Sequence, residues 1–238
     1  HTLRALADLT AQGLLEKGVD WDTPGHLQTV PPEEADRARE TLALLNFPQT
    51  LVRWAQPNAF LPTPLSGLFF PQGGWVKPAR WVQANLQACG ELLHPHYNCA
   101  IADINPLRQQ HSAVVVCAAE HALELAPIHG ARANTVKGQI SKLRCTVKPG
   151  VVLSGESYAI APAAEDWLVL GATYERPVLH LNPTAEADAL NIARFKAAFP
   201  GLPLGELLDH RCAVRSVWHD RLPAIGPVPN MPGVYMST

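Results

Sequence analysis

Three segments rich in β-branched and aromatic residues follow one another in the second half of the chain, at 135–143, 151–160 and 167–174. Glycine or proline residues separate them. Closely spaced segments of this composition are typical of strands joined by turns. The pattern therefore predicts an antiparallel sheet, and this is the strongest constraint on what the chain can fold into.

A continuous apolar run, Val-Val-Val-Cys-Ala-Ala at 114–119, points to a second kind of sheet. Such a run suits a strand that is buried on both faces of a parallel sheet covered by helices. A shorter strand is expected near 26–30, and another at 211–217. Apolar residues with helical spacing predict four helices, starting with Leu3, Leu6 and Leu9 and followed by segments at 35–45, 78–93 and 184–199, the last capped by Asn182 or Thr184.

These elements together predict a mixed α/β (α+β) fold. An antiparallel-sheet lobe is interleaved with part of a parallel-sheet lobe. The 47% apolar content is sufficient for a core, and the 17% charged content argues against disorder. The chain begins at His1, inside a helical pattern, and stops just after an apolar stretch, so we expect it to be part of a longer polypeptide.

Charge and cysteine content limit the partners and the compartment. The net charge of −2 gives the whole chain no basic field for nucleic acid, although a local basic groove or another domain could supply one. No apolar run reaches the roughly 20 residues of a membrane span. The five cysteines form an odd set, which favours a reducing cytoplasm over a disulfide framework.

Several common functional motifs are missing or weak. The sequence contains no Gly-x-Gly-x-x-Gly and no Gly-x-x-x-x-Gly-Lys-Ser/Thr phosphate loop, and Gly73-Gly74 alone is more typical of a tight turn. Hydrolase chemistry lacks a Gly-x-Ser-x-Gly elbow, and Cys145 is a lone thiol. Two minor alternatives remain open, a metal site at Cys89, His94, His96 and Cys99 and a nucleophilic triad at Ser216, His219 and Asp220.

Arg215 is the best candidate for a functional side chain. Alternation along Arg211-Cys212-Ala213-Val214-Arg215 puts Arg211, Ala213 and Arg215 on one strand face. A guanidinium in a partly buried strand needs an anion, and its planar fork matches a carboxylate. Tyr158 could supply a hydroxyl to the same anion. On spacing alone, an internal pair with Asp209 or Asp220 is the more common explanation.

Five stretches resemble one family of enzymes. They are Phe-Pro-Gln-Gly-Gly-Trp-Val-Lys-Pro-Ala at 70–79, Val-Lys-Gly-Gln-Ile-Ser at 136–141, the pair at 157–162 and 170–174, and the segment from Val214-Arg215 through Asp220-Arg221-Leu222-Pro223-Ala224-Ile225-Gly226. In this order they are similar to the FAD-dependent oxidase half of the bifunctional tRNA 5-methylaminomethyl-2-thiouridine enzymes. The tyrosine and arginine elements are shared with the wider D-amino-acid oxidase and glycine oxidase superfamily.

The resemblance implies a two-lobed flavoprotein oxidoreductase of the EC 1.5 class. It would remove the carboxymethyl group from 5-carboxymethylaminomethyl-2-thiouridine at the tRNA wobble position in the cytoplasm. A fused methyltransferase that uses S-adenosylmethionine would complete the modification, without a metal or a membrane. The alternatives are a small-molecule amine oxidase resembling glycine or D-amino-acid oxidase, and a catalytically silent binding domain of the same fold.

The resemblance also assigns site residues. Arg215 and Tyr158 would be catalytic, Gln72, Gly73, Gly74, Trp75, Gln139 and Tyr174 would lie near the substrate or flavin, and Ala118, Ala119, Pro223 and Gly226 would bind the cofactor. The expected substrate lobe comprises 1–77 and 128–215, and the Rossmann-like FAD lobe comprises 78–127 and a truncated return at 216–238. The N-terminal βαβ unit of that lobe is missing, so FAD should bind the isolated segment weakly or not at all. The stretch at 104–112 is shorter than the family's hairpin there.

Overall fold

The computed structural model describes residues 1–238 and confirms the mixed α/β class. The helices are α1 (Thr2–Ala11), α2 (Ala35–Leu45), α3 (Pro78–Ala88), α4 (Asn105–Gln110), α5 (Ala122–Leu125) and α6 (Ala185–Ala198). The strands are β1 (Trp21–Asp22), β2 (His26–Thr29), β3 (Arg53–Ala55), β4 (Gly67–Phe70), β5 (Trp75–Val76), β6 (Val114–Val116), β7 (Ala133–Arg144), β8 (Val152–Ser154), β9 (Tyr158–Ile160), β10 (Trp167–Gly171), β11 (Leu207–Trp218), β12 (Ile225–Pro227) and β13 (Val234–Ser237). No helix has the length and hydropathy of a membrane span.

The chain forms two compact units. The first contains His1–His94, Gln139–Thr173 and Pro183–Arg211, and the second contains Pro95–Gly138, Tyr174–Asn182 and Cys212–Thr238. Helix α3, expected at the start of the FAD lobe, lies in the first unit. The assignment of substrate and FAD lobes to sequence ranges stays a prediction.

Most of the first unit is built around an eight-stranded sheet in the order β11-β7-β10-β9-β8-β2-β4-β3, of which the start of β7 and the end of β11 belong to the second unit. Strand β10 pairs antiparallel with β7 and β9, and β4 pairs antiparallel with β2 and β3. Strands β2 and β8 are parallel, so the sheet is mixed rather than purely antiparallel. Because parallel partners need a long connection between them, this pairing joins segments too distant in sequence for local patterns to reveal.

The segment predicted as one strand at 151–160 forms two. Strands β8 and β9 pair antiparallel with Leu153 opposite Ala159, and Gly155 lies in the turn between them. A Cβ at Gly155 would lie 2.2 Å from the Thr29 side-chain oxygen, so the chain turns sharply against its neighbour there. The β-rich composition was correctly interpreted as strand, but the turn inside it was missed.

Helix α6 covers the core of the first unit and begins as expected. Thr184 is its N-cap, and the hydroxyl accepts a hydrogen bond from the Ala187 amide at 3.2 Å. The helix buries Phe195, and the adjacent Phe199 is buried with it against Leu143, Leu168 and Leu170 of the sheet. Burial of these side chains, rather than helix propensity, holds α6 in place.

The second unit contains a three-stranded sheet in the order β12-β13-β6. Strand β13 is parallel to β6, as the apolar run at 114–119 predicted, and antiparallel to β12. Burial on both faces was a wrong expectation, because Val116 is buried whereas Val115 is 60% exposed. The core side chains of this unit, among them Val116, Val234 and Met236, lie in one cluster, so alternate residues of β6 face away from it.

The short stretch at 104–112 folds as helix α4 instead of a hairpin. Ile104, directly before α4, is 3% exposed and joins the core of the second unit. Pro106 occupies the first turn of the helix, where its missing amide hydrogen costs nothing.

Candidate functional site

A cavity of about 600 Å³ lies within the second unit. Its walls come from Tyr174 and Arg176, from the end of β11 at 215–218, from the turn at 221–223, and from Thr238 after β13. Three of the residues that line it are arginines and none is an Asp or Glu. The cavity is therefore positively charged and suited to an anionic ligand.

Arg215 is the arginine that the sequence predicted for this role. Its side chain is exposed on β11, together with Arg211 and Ala213, so the alternation is as expected but the partial burial is not. Arg215 Nη1 donates a hydrogen bond to the Tyr174 hydroxyl at 3.2 Å. The structure thus brings together two of the predicted site residues.

The internal ion pair that spacing alone favoured does not form. No salt bridge in the structure includes Arg215. Asp220 instead accepts from the Leu222 amide at 3.0 Å, and Asp209 accepts from the His210 amide at 2.8 Å. The Arg215 guanidinium is therefore available to a carboxylate from outside the chain.

Two buried polar atoms near the end of β11 lack partners. Ser216 Oγ and Trp218 Nε1 are buried and have no hydrogen-bond partner in the structure. An unsatisfied buried donor costs about 1–3 kcal/mol. Both residues contribute atoms to the cavity lining, but strand alternation places their side chains on the opposite face of β11 from Arg215.

The cavity also lies at the edge where a cofactor is expected. Strands β6 and β13 run parallel, so their carboxyl ends meet at one edge of the sheet. Thr238 follows β13 there, and its hydroxyl donates to the Ala119 carbonyl at 3.5 Å. Ligands of open α/β sheets bind outside the carboxyl ends of parallel strands.

The predicted cofactor-binding residues lie in the second unit, and one of them lines the cavity. Pro223 is part of the cavity wall, Ala118 follows β6, and Gly226 in β12 has a φ of 146° with open space beside its α-carbon. Pro223 in the cavity wall fits the ring portion of a flavin, whereas contact of Ala118, Ala119 and Gly226 with it stays a prediction. They do not supply a phosphate cradle, because the sequence has no glycine-rich dinucleotide loop.

Gln139 is engaged inside the first unit. It is fully buried, and its amide nitrogen donates to the Thr184 carbonyl at 2.8 Å and to Asp188 Oδ1 at 2.7 Å. Its amide oxygen accepts from the Thr184 backbone at 2.8 Å. In this structure the side chain joins β7 to the start of α6, and a contact with substrate or flavin stays a prediction.

Asp188 is the centre of that polar network. Its carboxylate accepts from Ser141 at 2.6 Å and from His210 Nδ1 at 2.8 Å, in addition to Gln139. Burial raises the pKa of Asp188, but the hydrogen bonds from His210, Ser141 and Gln139 outweigh it and leave the pKa below its usual value. Asn191 completes the network by donating to Ser141 Oγ at 3.1 Å.

The Pro-Gln-Gly-Gly-Trp stretch forms the tight turn between β4 and β5. The Gly73 amide donates to the Phe70 carbonyl at 2.9 Å. A Cβ at Gly74 would lie 1.9 Å from the Asp22 carbonyl oxygen, so only glycine fits this close approach. Trp75 is 8% exposed, whereas Gln72 is exposed, and the proximity of these residues to a ligand stays a prediction.

Tyr158 belongs to the first unit, on β9 opposite Gly171. A Cβ at Gly171 would lie 2.9 Å from the Tyr158 hydroxyl, so the phenol ring packs directly over this glycine. Its predicted catalytic role with Arg215 is not tested by this placement. Sequence reasoning missed Arg176 and Arg221, although both flank predicted site residues and carry the same charge as Arg215.

The structure shows no arrangement of side chains for the metal site or the nucleophilic triad. No three His, Cys, Asp or Glu side chains come together in a way that could hold a metal ion. The Cys145 thiol is buried, which raises its pKa, and it donates to the Val147 carbonyl at 3.1 Å. Ser216 Oγ has no hydrogen-bond partner, so no base activates it.

Comparison with known proteins agrees with this geometry. A family model described as FAD dependent oxidoreductase (DAO) matches residues 2–238. The tRNA 5-methylaminomethyl-2-thiouridine biosynthesis bifunctional protein MnmC from Cupriavidus necator is 28% identical over 97% of this chain and 39% of its own length. MnmC from Thiobacillus denitrificans is 30% identical over 98% of this chain and 42% of its own length.

Solved structures show the same fold. Glycine oxidase from Geobacillus kaustophilus matches with a TM-score of 0.78 at 20% identity, covering 98% of this chain and 70% of that one. Iminodiacetate oxidase from Chelativorans sp. BNC1 matches with a TM-score of 0.72 at 18% identity, with the same coverage. The chain spans about two fifths of the length of these MnmC relatives. The match over residues 2–238 shows that the chain belongs to the DAO family of FAD-dependent oxidoreductases.

Proposed function

We propose that the protein removes the carboxymethyl group of 5-carboxymethylaminomethyl-2-thiouridine in the tRNA wobble position by FAD-dependent oxidation. The observation that carries the proposal is the Arg215 guanidinium, which lines a cavity with no Asp or Glu in its lining and bonds only to the Tyr174 hydroxyl. The names of the MnmC relatives support the choice of a tRNA substrate.

In this proposal Arg215 binds the carboxylate of the carboxymethyl group in two parallel hydrogen bonds. The Tyr174 hydroxyl holds the guanidinium in position and adds a donor to the same carboxylate.

When bound, FAD would supply the acceptor for a hydride from the CH₂ group between the amine and the carboxylate. Loss of that hydride, with release of the amine N–H proton to water, would leave a C=N bond between the nitrogen and that carbon. Water adds to the C=N bond and cleaves it, releasing the two-carbon fragment as glyoxylate and leaving the aminomethyl group on the uridine. The carboxylate remains bound to Arg215 until release, so the cavity binds both the substrate and the departing product.

The proposal extends to the protein at its natural length. We infer that this chain works within a longer cytoplasmic polypeptide that supplies the phosphate site for FAD, and that a fused methyltransferase domain using S-adenosylmethionine acts next. Since the sequence lacks a glycine-rich phosphate loop, the chain by itself should bind FAD weakly. Stoichiometric flavin absorbance in the purified 238-residue chain would contradict that point.

The test is to incubate the protein at its natural length with tRNA that carries the carboxymethylaminomethyl group. We expect conversion to the aminomethyl nucleoside, measured by mass spectrometry, with one glyoxylate released per nucleoside. Parallel reactions with glycine and D-alanine measure small-molecule oxidation. Turnover of these amino acids without conversion of the tRNA would instead support a small-molecule amine oxidase, and no turnover with bound FAD would support a silent binding domain.

A further inference from the structure

Lys137 has an unusual environment for a lysine. It lies on β7 and is 1% exposed, between the buried Val136 and the partly buried Gly138. Burial of an ammonium group is costly unless the group is paired and hydrogen-bonded. The contacts of Lys137 therefore indicate what its burial achieves.

Those contacts all reach one segment. Lys137 Nζ donates to Glu175 Oε2 at 3.0 Å and to the Asn182 carbonyl oxygen at 3.0 Å. The backbones of Lys137 and Glu175 also exchange two hydrogen bonds, at 3.2 and 2.9 Å. A single lysine thus holds both ends of residues 175–182.

The segment that it holds forms part of the cavity. Tyr174 and Arg176 flank Glu175 and both line the cavity, and Tyr174 bonds to Arg215. No helix or strand includes residues 174–182, and Leu179 and Leu181 are 83% and 57% exposed. Because so little apolar burial fixes this segment, its position depends on polar anchors.

Stability alone gives a weak reason for such a pair. Replacing a buried ion pair with apolar side chains of similar volume is often neutral or stabilising. The Lys137 ammonium donates to two acceptors in fixed directions, which an apolar side chain cannot do. It therefore sets the distance from strand β7 to both ends of the segment, at Glu175 and at Asn182.

We propose that Lys137 is a positioning residue for the carboxylate-binding cavity. It fixes the segment at 174–182 so that the Tyr174 hydroxyl meets the Arg215 guanidinium and Arg176 faces the cavity. The inference rests on the proposed function only for the identity of the ligand. The clamp, meaning the contacts of Lys137 with Glu175 and Asn182, does not depend on which ligand binds.

The test uses Lys137→Met, with Glu175→Gln as a second variant that keeps the shape of the partly exposed partner. Lys142→Met is the matched control, because Lys142 lies on the same strand and contacts the Trp167 ring instead of the cavity. The first measurement is amide hydrogen exchange of the protein, read at 174–182 and at α6.

Lys137→Met should speed exchange at 174–182 by at least about tenfold while exchange in α6 stays within about twofold. Glu175→Gln should give a smaller increase at the same amides, and Lys142→Met should give none. Unchanged exchange at 174–182 in Lys137→Met would overturn the proposal. If Lys137→Met does not fold, amide exchange at 174–182 in Glu175→Gln decides instead, and unchanged exchange there would overturn the proposal.

The second measurement is kinetic, on the FAD-loaded protein at its natural length. Lys137→Met should raise KM for the modified tRNA by about tenfold and change kcat by less than about threefold, because the lost order affects binding of the carboxylate. Equal losses in KM and flavin content across all variants would indicate general destabilisation and contradict the positioning role. If the wild type does not convert the tRNA, the proposed function fails, while the exchange result still decides whether the clamp exists.

Discussion

The two units treat their polar side chains in opposite ways. In the first unit the Asp188 carboxylate accepts three side-chain hydrogen bonds, from Gln139, Ser141 and His210. In the second unit the Arg215 guanidinium lies in a cavity lined by two further arginines and meets only one phenol. The contrast separates polar groups that hold the fold together from polar groups that are available to a ligand.

The largest expected effect comes from removing the available charge. Arg215→Ala should lower kcat/KM for the modified tRNA by about 1,000-fold at an unchanged flavin content, because losing one partner of a close charge pair costs about 2–5 kcal/mol. Steady-state kinetics and the flavin absorbance of the protein at its natural length check this.

The control for that change is Arg211→Ala, on the same exposed face of β11 but outside the cavity lining. It should keep kcat/KM within about twofold, as surface substitutions away from a site generally do. If Arg215→Ala and Arg211→Ala lower kcat/KM by the same factor, the cavity does not bind the carboxylate. The difference between the two units would then say nothing about ligand binding.

The next effect comes from breaking the satisfied network. Asp188→Ala should lower the free energy of unfolding by about 3 kcal/mol, since it removes the acceptor shared by the buried Gln139 and Ser141 donors and by His210. Asp188→Asn should cost about 1–2 kcal/mol, because its amide oxygen still accepts hydrogen bonds. Urea unfolding followed by circular dichroism measures both.

Glu186→Ala is the matched control, because Glu186 is exposed in the first turn of the same helix. It should cost at most about 0.5 kcal/mol. An Asp188→Ala cost as small as that of Glu186→Ala would show that the network contributes little to the fold.

A smaller effect should come from Tyr174→Phe, which removes the hydroxyl that accepts from Arg215. One hydrogen bond is worth about 0.5–1.5 kcal/mol, so kcat/KM should fall by about fivefold. Tyr235→Phe, on β13 but not in the cavity lining, is the control. A full loss of activity in Tyr174→Phe would point to proton transfer by the phenol rather than to positioning.

The smallest effect is a pH dependence of stability. The pKa of Asp188 lies below its usual value of about 3.9 in the folded protein, so its contribution is fully present above that value and is lost as pH falls through the folded pKa. The difference in unfolding free energy between wild type and Asp188→Asn should therefore shrink as the pH falls below 5. The slope of this change should correspond to the uptake of about one proton per molecule at most. A difference that grows on acidification would contradict the lowered pKa.

Local patterns predicted the parts of the fold that depend on neighbouring residues. Helix α6 begins after Thr184 and ends before Phe199 as expected, because a cap and a Pro200-Gly201 stop act within a few residues. The parallel pair β2–β8 could not be predicted, since residues more than 120 positions apart meet there, as the bond between His26 and Ser154 shows.

The candidate site was predicted in part for the same reason. Strand alternation placed Arg215 on its face correctly, and the resemblance singled out Tyr174. The contribution of Arg176 was missed, because its place in the cavity wall depends on Lys137, 39 positions earlier in the chain. The sequence did not predict that the Gln139 amide bonds to Asp188 and Thr184, whereas its expected proximity to substrate or flavin stays a prediction.

Strand β7 carries Lys137, Gln139 and Ser141 at alternate positions, and all three are buried. A slip of one residue in the pairing of this strand would turn the whole set to its other face. An ammonium, an amide and a hydroxyl would then lose their acceptors together, a penalty of several kcal/mol. The polar set therefore disfavours a one-residue slip of β7, because such a slip would separate a buried charge from its partner.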